Sequence, residues 1–206
     1  PDLVIACYGI NCGIYQPYDE ARFEKYKTGI QHLVDKVGLA GAELVLLTPP
    51  IYDGQQSKLE FSYNPVMKRY AKWLMEQRDT RGWKVIDVHS AMSRELESQR
   101  VSVPFHTFQP DAVHPNRQGH LVIARTLIRG FDKDLFFVPR TDAGARLAYS
   151  SVKHRLDVLR DAWLTHTGHK RPGLEKGLTL EEAKSMSATH SQSIRLNLNR
   201  SARQGR

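Results

Sequence analysis

Cysteine is nearly absent: the chain of 206 residues holds two, Cys7 and Cys12, five positions apart. That spacing matches neither a CxxC redox pair nor a zinc knuckle, so the pair reads as free thiols, one of them in the core. No apolar run approaches the ~20 residues that a membrane helix needs. The longest, Leu44 to Leu47 with its neighbours, suits a buried strand. A metal site from His89, His106, His114, His120 and Cys12 is not expected, since no pair of them has HExxH or comparable metal-ligand spacing. No internal repeat is present. A serine on a sharp strand-to-helix turn is also missing, since Ser57 and Ser62 fall in a long loop and Ser90 opens a helix. The chain starts at Pro1 and enters a strand-like run almost at once, with no charged segment or small-residue cleavage site before it. The sequence therefore reads as a fragment rather than as a chain with a signal peptide.

What is there divides into two parts. Residues 1–139 carry 17 Lys and Arg against 16 Asp and Glu, whereas residues 140–206 carry 13 against 6. Nearly all of the net charge of +8 thus belongs to the tail. Its basic residues are scattered among acids and apolar residues, without an aromatic-interleaved stripe, so a solvated face is expected there and not a nucleic-acid site.

The front part alternates strands and helices. Strands are expected over 2–9, 42–50 and 83–88, the first a continuous apolar run buried on both faces. Asp19 caps a helix running to about Ala40, with Phe23, Tyr26, Ile30, Leu33, Val34 and Val37 at helical spacing and Gly41 as terminator. Further helices are expected from about Pro65 to Arg81, Ser90 to Gln99 and Arg117 to Arg129. This order predicts a parallel α/β sheet with helices on both faces, thin at three strands. In the tail, a helix carries Leu147, Val152, Leu156, Leu159 and Trp163 on one side. A capping-box start at Thr179-Leu-Glu-Glu opens another, and "NRSARQGR" is polar enough to be disordered. The expected organisation is one domain over 1–139 and a basic helical extension over 140–206.

Ligands of open parallel sheets bind beyond the carboxyl ends of the strands. After the first strand comes "GIN", Gly9 to Asn11, and near the end of the domain comes "DAVH", Asp111 to His114. An aspartate that accepts from Nδ1 fixes the imidazole tautomer and leaves Nε2 as a base. An asparagine amide at a facing strand end is suited to donate to an oxyanion. Phe105, His106 and Phe108 either line a substrate pocket or bury their loop, and Tyr15 and Tyr18 either stack on a sugar or staple theirs.

"YGINCG" followed about a hundred residues later by "DAVHP" resembles the third and fifth sequence blocks of the SGNH (GDSL-like) hydrolases, over roughly residues 2–130. The resemblance implies a flavodoxin-like three-layer α/β/α sandwich whose first strands, with the serine nucleophile and an oxyanion glycine, precede Pro1. It implies His114 as general base, Asp111 as its partner, Asn11 as oxyanion donor and Gly9 as the tight turn beside them. It implies no cofactor and no metal. The substrate would be an acyl or acetyl ester, on a small molecule or a carbohydrate. The aspartate usual after the asparagine is Cys12 here, which departs from the pattern. "LRDAWLTHTGHKRPGLEKGLTLEEAK" resembles a C-terminal extension of some bacterial, notably planctomycete-type, SGNH proteins. The rival expectation is a non-catalytic scaffold or an inactive remnant built on the same sheet.

Overall fold

The computed structural model describes residues 1–132, 142–170, 172–173 and 175–204. They fall into two compact units, Pro1–Phe137 and Val138–Arg206. The boundary expected between 139 and 140 lies outside the described residues.

In the first unit, β1 (Leu3–Cys7), β2 (Glu43–Leu47) and β3 (Lys84–Ile86) form an open parallel sheet in the order β1-β2-β3. Helix α1 (Glu20–Leu39) begins where expected, because the Asp19 side chain accepts from the Arg22 amide. Helix α2 (Asn64–Arg81) ends at Gly82, which takes the left-handed conformation that a glycine adopts without strain. Both helices cover one face of the sheet: Phe23, Tyr26, Ile30, Val66, Met67, Tyr70 and Leu74 pack with Ala6, Leu46 and Val85. Helix α3 (Val88–Ser102) starts two residues earlier than expected because Asp87 caps it through the Ser90 amide. With α4 (Arg117–Phe131) it covers the other face, where Val88, Met92 and Leu96, with the partly buried Val122, Ile123 and Leu127, meet Val45 and Leu47. The architecture is the three-layer α/β/α arrangement.

The expectation for β1 needs correction. It is not buried on both faces, since Leu3 is 40% and Ile5 44% exposed. Helices α3 and α4 lie over β2 and β3, and the buried cluster they form there contains no residue of β1. The ladder of β1 is likewise shared with β2 alone.

The second unit is a pair of helices, α5 (Ala143–His166) and α6 (Leu180–Gln204), packed on each other. The expected capping box is present, with Thr179 N–H donating to the Glu182 carboxylate at 3.0 Å and Glu182 N–H to Thr179 Oγ1 at 3.3 Å. Of the apolar row on one side of α5, Leu147, Val152, Leu156 and Trp163 are exposed and Leu159 is half-buried. The buried positions are Gly144, Ala148, Ala162, Ala183 and Ser187, whose small side chains let the helix backbones approach closely. The polar end, expected to be disordered, continues α6 to Gln204, as elongation of a nucleated helix permits. No helix of the described residues is long and apolar enough to cross a membrane.

One buried knot ties the loops beyond the sheet. The Asp53 side chain, 1% exposed, accepts from Arg100 at 2.7 and 2.8 Å, from Thr107 Oγ1 at 2.6 Å and from the Gln55 amide at 3.2 Å. Arg100 also donates to His106 O at 3.0 Å. Removing one partner of a buried pair strands the other's charge. Arg100→Ala should therefore destabilise the first unit by about 3–5 kcal/mol, read as a lowered urea midpoint at unchanged slope. Arg94→Ala, at an exposed cation of the same helix, should change the unfolding free energy by less than ~0.5 kcal/mol and leave that midpoint nearly unmoved.

Candidate active site

The site is assembled by three loops at the carboxyl ends of the strands. The first leaves β1 through Gly9, whose φ of +135° and closeness to Pro49 leave no room for a side chain: a Cβ there would stand 2.8 Å from Pro49 Cβ. The chain then coils tightly, with Cys12 N–H bonded to Gly9 O and Ile14 N–H to Asn11 O. This brings Tyr15 back over Asn11, and its hydroxyl donates to Asn11 Oδ1. The second loop, after β2, supplies Tyr52 and Tyr63, whose rings lie 6.2 and 5.3 Å from that of Tyr15. Tyr63 also donates to Ile10 O at 3.0 Å, fixing the first loop to the second.

The third loop carries Asp111 and His114. Asp111 Oδ1 accepts from the amides of Val113 at 3.0 Å and His114 at 2.7 Å, while Oδ2 lies 2.6 Å from His114 Nδ1. With the Nδ1 proton directed at the carboxylate, Nε2 is the nitrogen left for chemistry. The His114 side chain is 82% exposed, so that nitrogen is open to reactants. The backbone N–H of His114, then its imidazole and the Val113 N–H hold the Asp111 carboxyl far below the usual carboxylate range. Ala112, between them, has φ +70° and is buried, and its carbonyl accepts from Asp53 N–H at 3.1 Å. Just beyond, Asn116 caps α4 through the amides of Gln118 and Gly119 and donates to Thr107 O. Gly119 is needed there because a Cβ would come within 2.9 Å of Phe108 O.

Asn11 and Asp111 thus share one end of the sheet, and Tyr15 bonds the first of them. Gly9 lies at the turn expected for it. The two phenylalanines differ in burial. Phe108 is a core residue packed with Val45, Leu47 and Met92 under His106, and Phe105 is 85% exposed on the surface. His120 is exposed on the first turn of α4.

Among the described residues, no serine, threonine or cysteine hydrogen-bonds the His114 ring. Ser57 Oγ pairs with the Tyr52 hydroxyl and accepts from Leu59 N–H. Burial pushes the Cys12 thiol up, which favours the protonated form and not a thiolate nucleophile. No group of three or more metal-ligating side chains occurs among the described residues.

Two supports went unread in the sequence. Gln109 is fully buried, and its Nε2 donates to Ile51 O at 2.7 Å and Val113 O at 2.9 Å, strapping the Asp111 loop to the second. Asp53 does the same through its backbone. A "DG" turn signal marks Asp53, but nothing local signals its distant partners.

The sequence profile of the GDSL-like lipase/acylhydrolase family matches residues 1–122. No curated protein matches the chain in sequence. Among solved structures, a catalytic mutant of the acetylxylan esterase Axe2 from Geobacillus stearothermophilus superposes with TM-score 0.50 at 20% identity, over 69% of this chain and 63% of that one. A second variant of the same enzyme gives 0.50 at 21%, over 68% and 63%. LAE5, an alpha/beta hydrolase from the metagenome of Lake Arreo, Spain, gives 0.48 at 26%, over 63% and 59%. The chain therefore spans less than two thirds of the length of these structures.

The depressed Asp111 titration has a testable signature. A carboxyl whose folded-state value lies below its unfolded one adds stability above the unfolded value and loses it as pH falls through the folded one. The Asp111 carboxyl carbon should thus titrate well below 3.8 in ¹³C NMR. In His114→Ala much of that displacement should persist, because two of the three bonds come from backbone amides.

Proposed function

Because the chain belongs to the GDSL-like lipase/acylhydrolase family, we propose that it supplies the acid–base pair and one oxyanion donor of an ester hydrolase. The observation that carries this reading is the 2.6 Å contact between Asp111 Oδ2 and His114 Nδ1, with the rest of the ring facing solvent. The nucleophile is a serine contributed by a segment upstream of Pro1. The outer edge of β1, unpaired among the described residues, and the exposed Leu3 and Ile5 support that assignment, since a parallel strand left open on edge and face calls for further pairing. Strands added there would end beside Asn11.

In this mechanism the serine Oγ attacks the ester carbonyl while His114 Nε2 takes its proton. Asp111 stabilises the imidazolium without accepting the proton. The carbonyl oxygen, now negative, accepts from Asn11 Nδ2. Collapse of the tetrahedral adduct breaks the C–O bond to the alcohol, which leaves with the proton from His114. Water then attacks the acyl-serine, His114 takes its proton and returns it to the serine, and the acid is released. The proposed substrates are acyl esters, with acetyl esters of carbohydrates first, the class named for the acetylxylan esterases it resembles in fold.

The competing reading, an inactive remnant, draws on Cys12 standing where the family pattern has an aspartate. One experiment separates the two. In the complete protein, hydrolysis of 4-nitrophenyl acetate and acetylated xylo-oligosaccharides should fall by about 10⁴-fold or more in kcat with His114→Ala. Asn11→Ala should lower kcat by about 10²–10³ with little change in KM. Turnover that survives His114→Ala undiminished would reject the assignment, and no turnover in the parent protein would favour the remnant.

A further inference from the structure

Resting on that reading, we infer that Tyr15 is a positioning residue: its hydroxyl, donated to Asn11 Oδ1, fixes the side-chain amide with Nδ2 as the face offered to the substrate oxyanion.

A primary amide has two nearly isosteric ends, one a donor and one an acceptor, related by a half-turn of the last torsion. For an oxyanion the difference is decisive: Nδ2 attracts the developing charge and Oδ1 repels it. Exposed asparagines sample both orientations, and Asn11 is exposed. In this structure the phenol O–H takes Oδ1, which leaves both Nδ2 hydrogens for the substrate side. The phenol is itself held. Its ring packs against Tyr52 and Tyr63. Its backbone sits at φ +54°, next to Ile14 at +48°, in the left-handed region that side chains rarely adopt. Arg22 pins the flanking turn by donating to Gly13 O and Pro17 O. Gly13 is required, because a Cβ there would strike the Tyr63 hydroxyl. Burial, then Tyr52 and then Asp111, push the Tyr15 phenol above 10, so it stays a donor at neutral pH.

Position in the loop reinforces the assignment. Among the described residues, the non-glycine residues with positive φ are Ile14, Tyr15 and Ala112. All three lie in the two loops that carry Asn11 and the Asp111–His114 pair. Strain of this kind persists only where surrounding contacts overdetermine it. Here the Tyr15 ring is held between Tyr52 and Tyr63.

Tyr15→Phe keeps the ring packing and removes only the O–H. In the complete protein it should lower kcat for 4-nitrophenyl acetate by about tenfold or more, leaving KM and the thermal midpoint unchanged. In an Asn11→Ala background the same substitution should cause no further loss, because the group it positions is gone. The ¹H–¹⁵N signals of the Asn11 side-chain amide should shift in Tyr15→Phe, a readout independent of turnover. Equal losses in both backgrounds, or a loss matched by a lowered midpoint, would overturn the positioning role. So would full kcat in Tyr15→Phe beside a crippled Asn11→Ala. Full kcat in Asn11→Ala itself would instead overturn the oxyanion assignment on which this inference stands.

Discussion

The buried carboxylate of Asp53 is the constraint on which the site's geometry depends. Taking a charge out of water is costly unless its lone pairs are filled, and here Arg100, Thr107 and the Gln55 amide fill them. These donors come from α3, from the loop after it and from the turn that Asp53 itself opens. Satisfying one charge therefore fixes three segments relative to one another. The backbone N–H of the same residue then holds Ala112 O, within the Asp111–His114 hairpin. A side chain with no chemistry to perform thus sets where the proposed base stands.

Around that knot the loops are made rigid in two ways. Buried polar groups fasten one segment to another: Gln109 bridges Ile51 O and Val113 O, Thr48 joins the Asp87 carboxylate and the His89 amide, and Tyr63 holds Ile10 O. Aromatic packing does the rest, with Tyr15, Tyr52 and Tyr63 in mutual contact at the mouth of the first core. Groups held this way need little reorganisation when charge develops in front of them, which is the physical basis of electrostatic catalysis.

Much of this was legible in the sequence wherever the determining contacts are local. Helix α1 follows from Asp19 and a run of apolar residues at helical spacing, and the Asp111–His114 unit from a three-residue separation that one turn can close. The alternation of strands and helices carried the three-layer fold. Readings failed where the answer depends on what lies across the sheet. Leu3 and Ile5 look like core residues by composition, yet they face the side of β1 that α3 and α4 do not reach. Asp53 with Arg100, 47 residues apart, and Gln109 with Ile51, 58 apart, form bonds that no local pattern announces.

The exposure of His114 follows from the same economy of contacts. Its orientation requires nothing from the nucleophile's side: Asp111 holds Nδ1, Asp111 is held by two amides, and those amides are set by Ala112 in its left-handed turn. Asn11 is likewise oriented from behind, through Tyr15. Both halves of the proposed site are thus organised from the protein side alone and present their reactive atoms outward. A serine arriving on a strand beside β1 would find the base, its tautomer and the oxyanion donor in place. The desolvation that strengthens such electrostatics would come with that strand, because the open edge and face of β1 lie on the side from which it would approach.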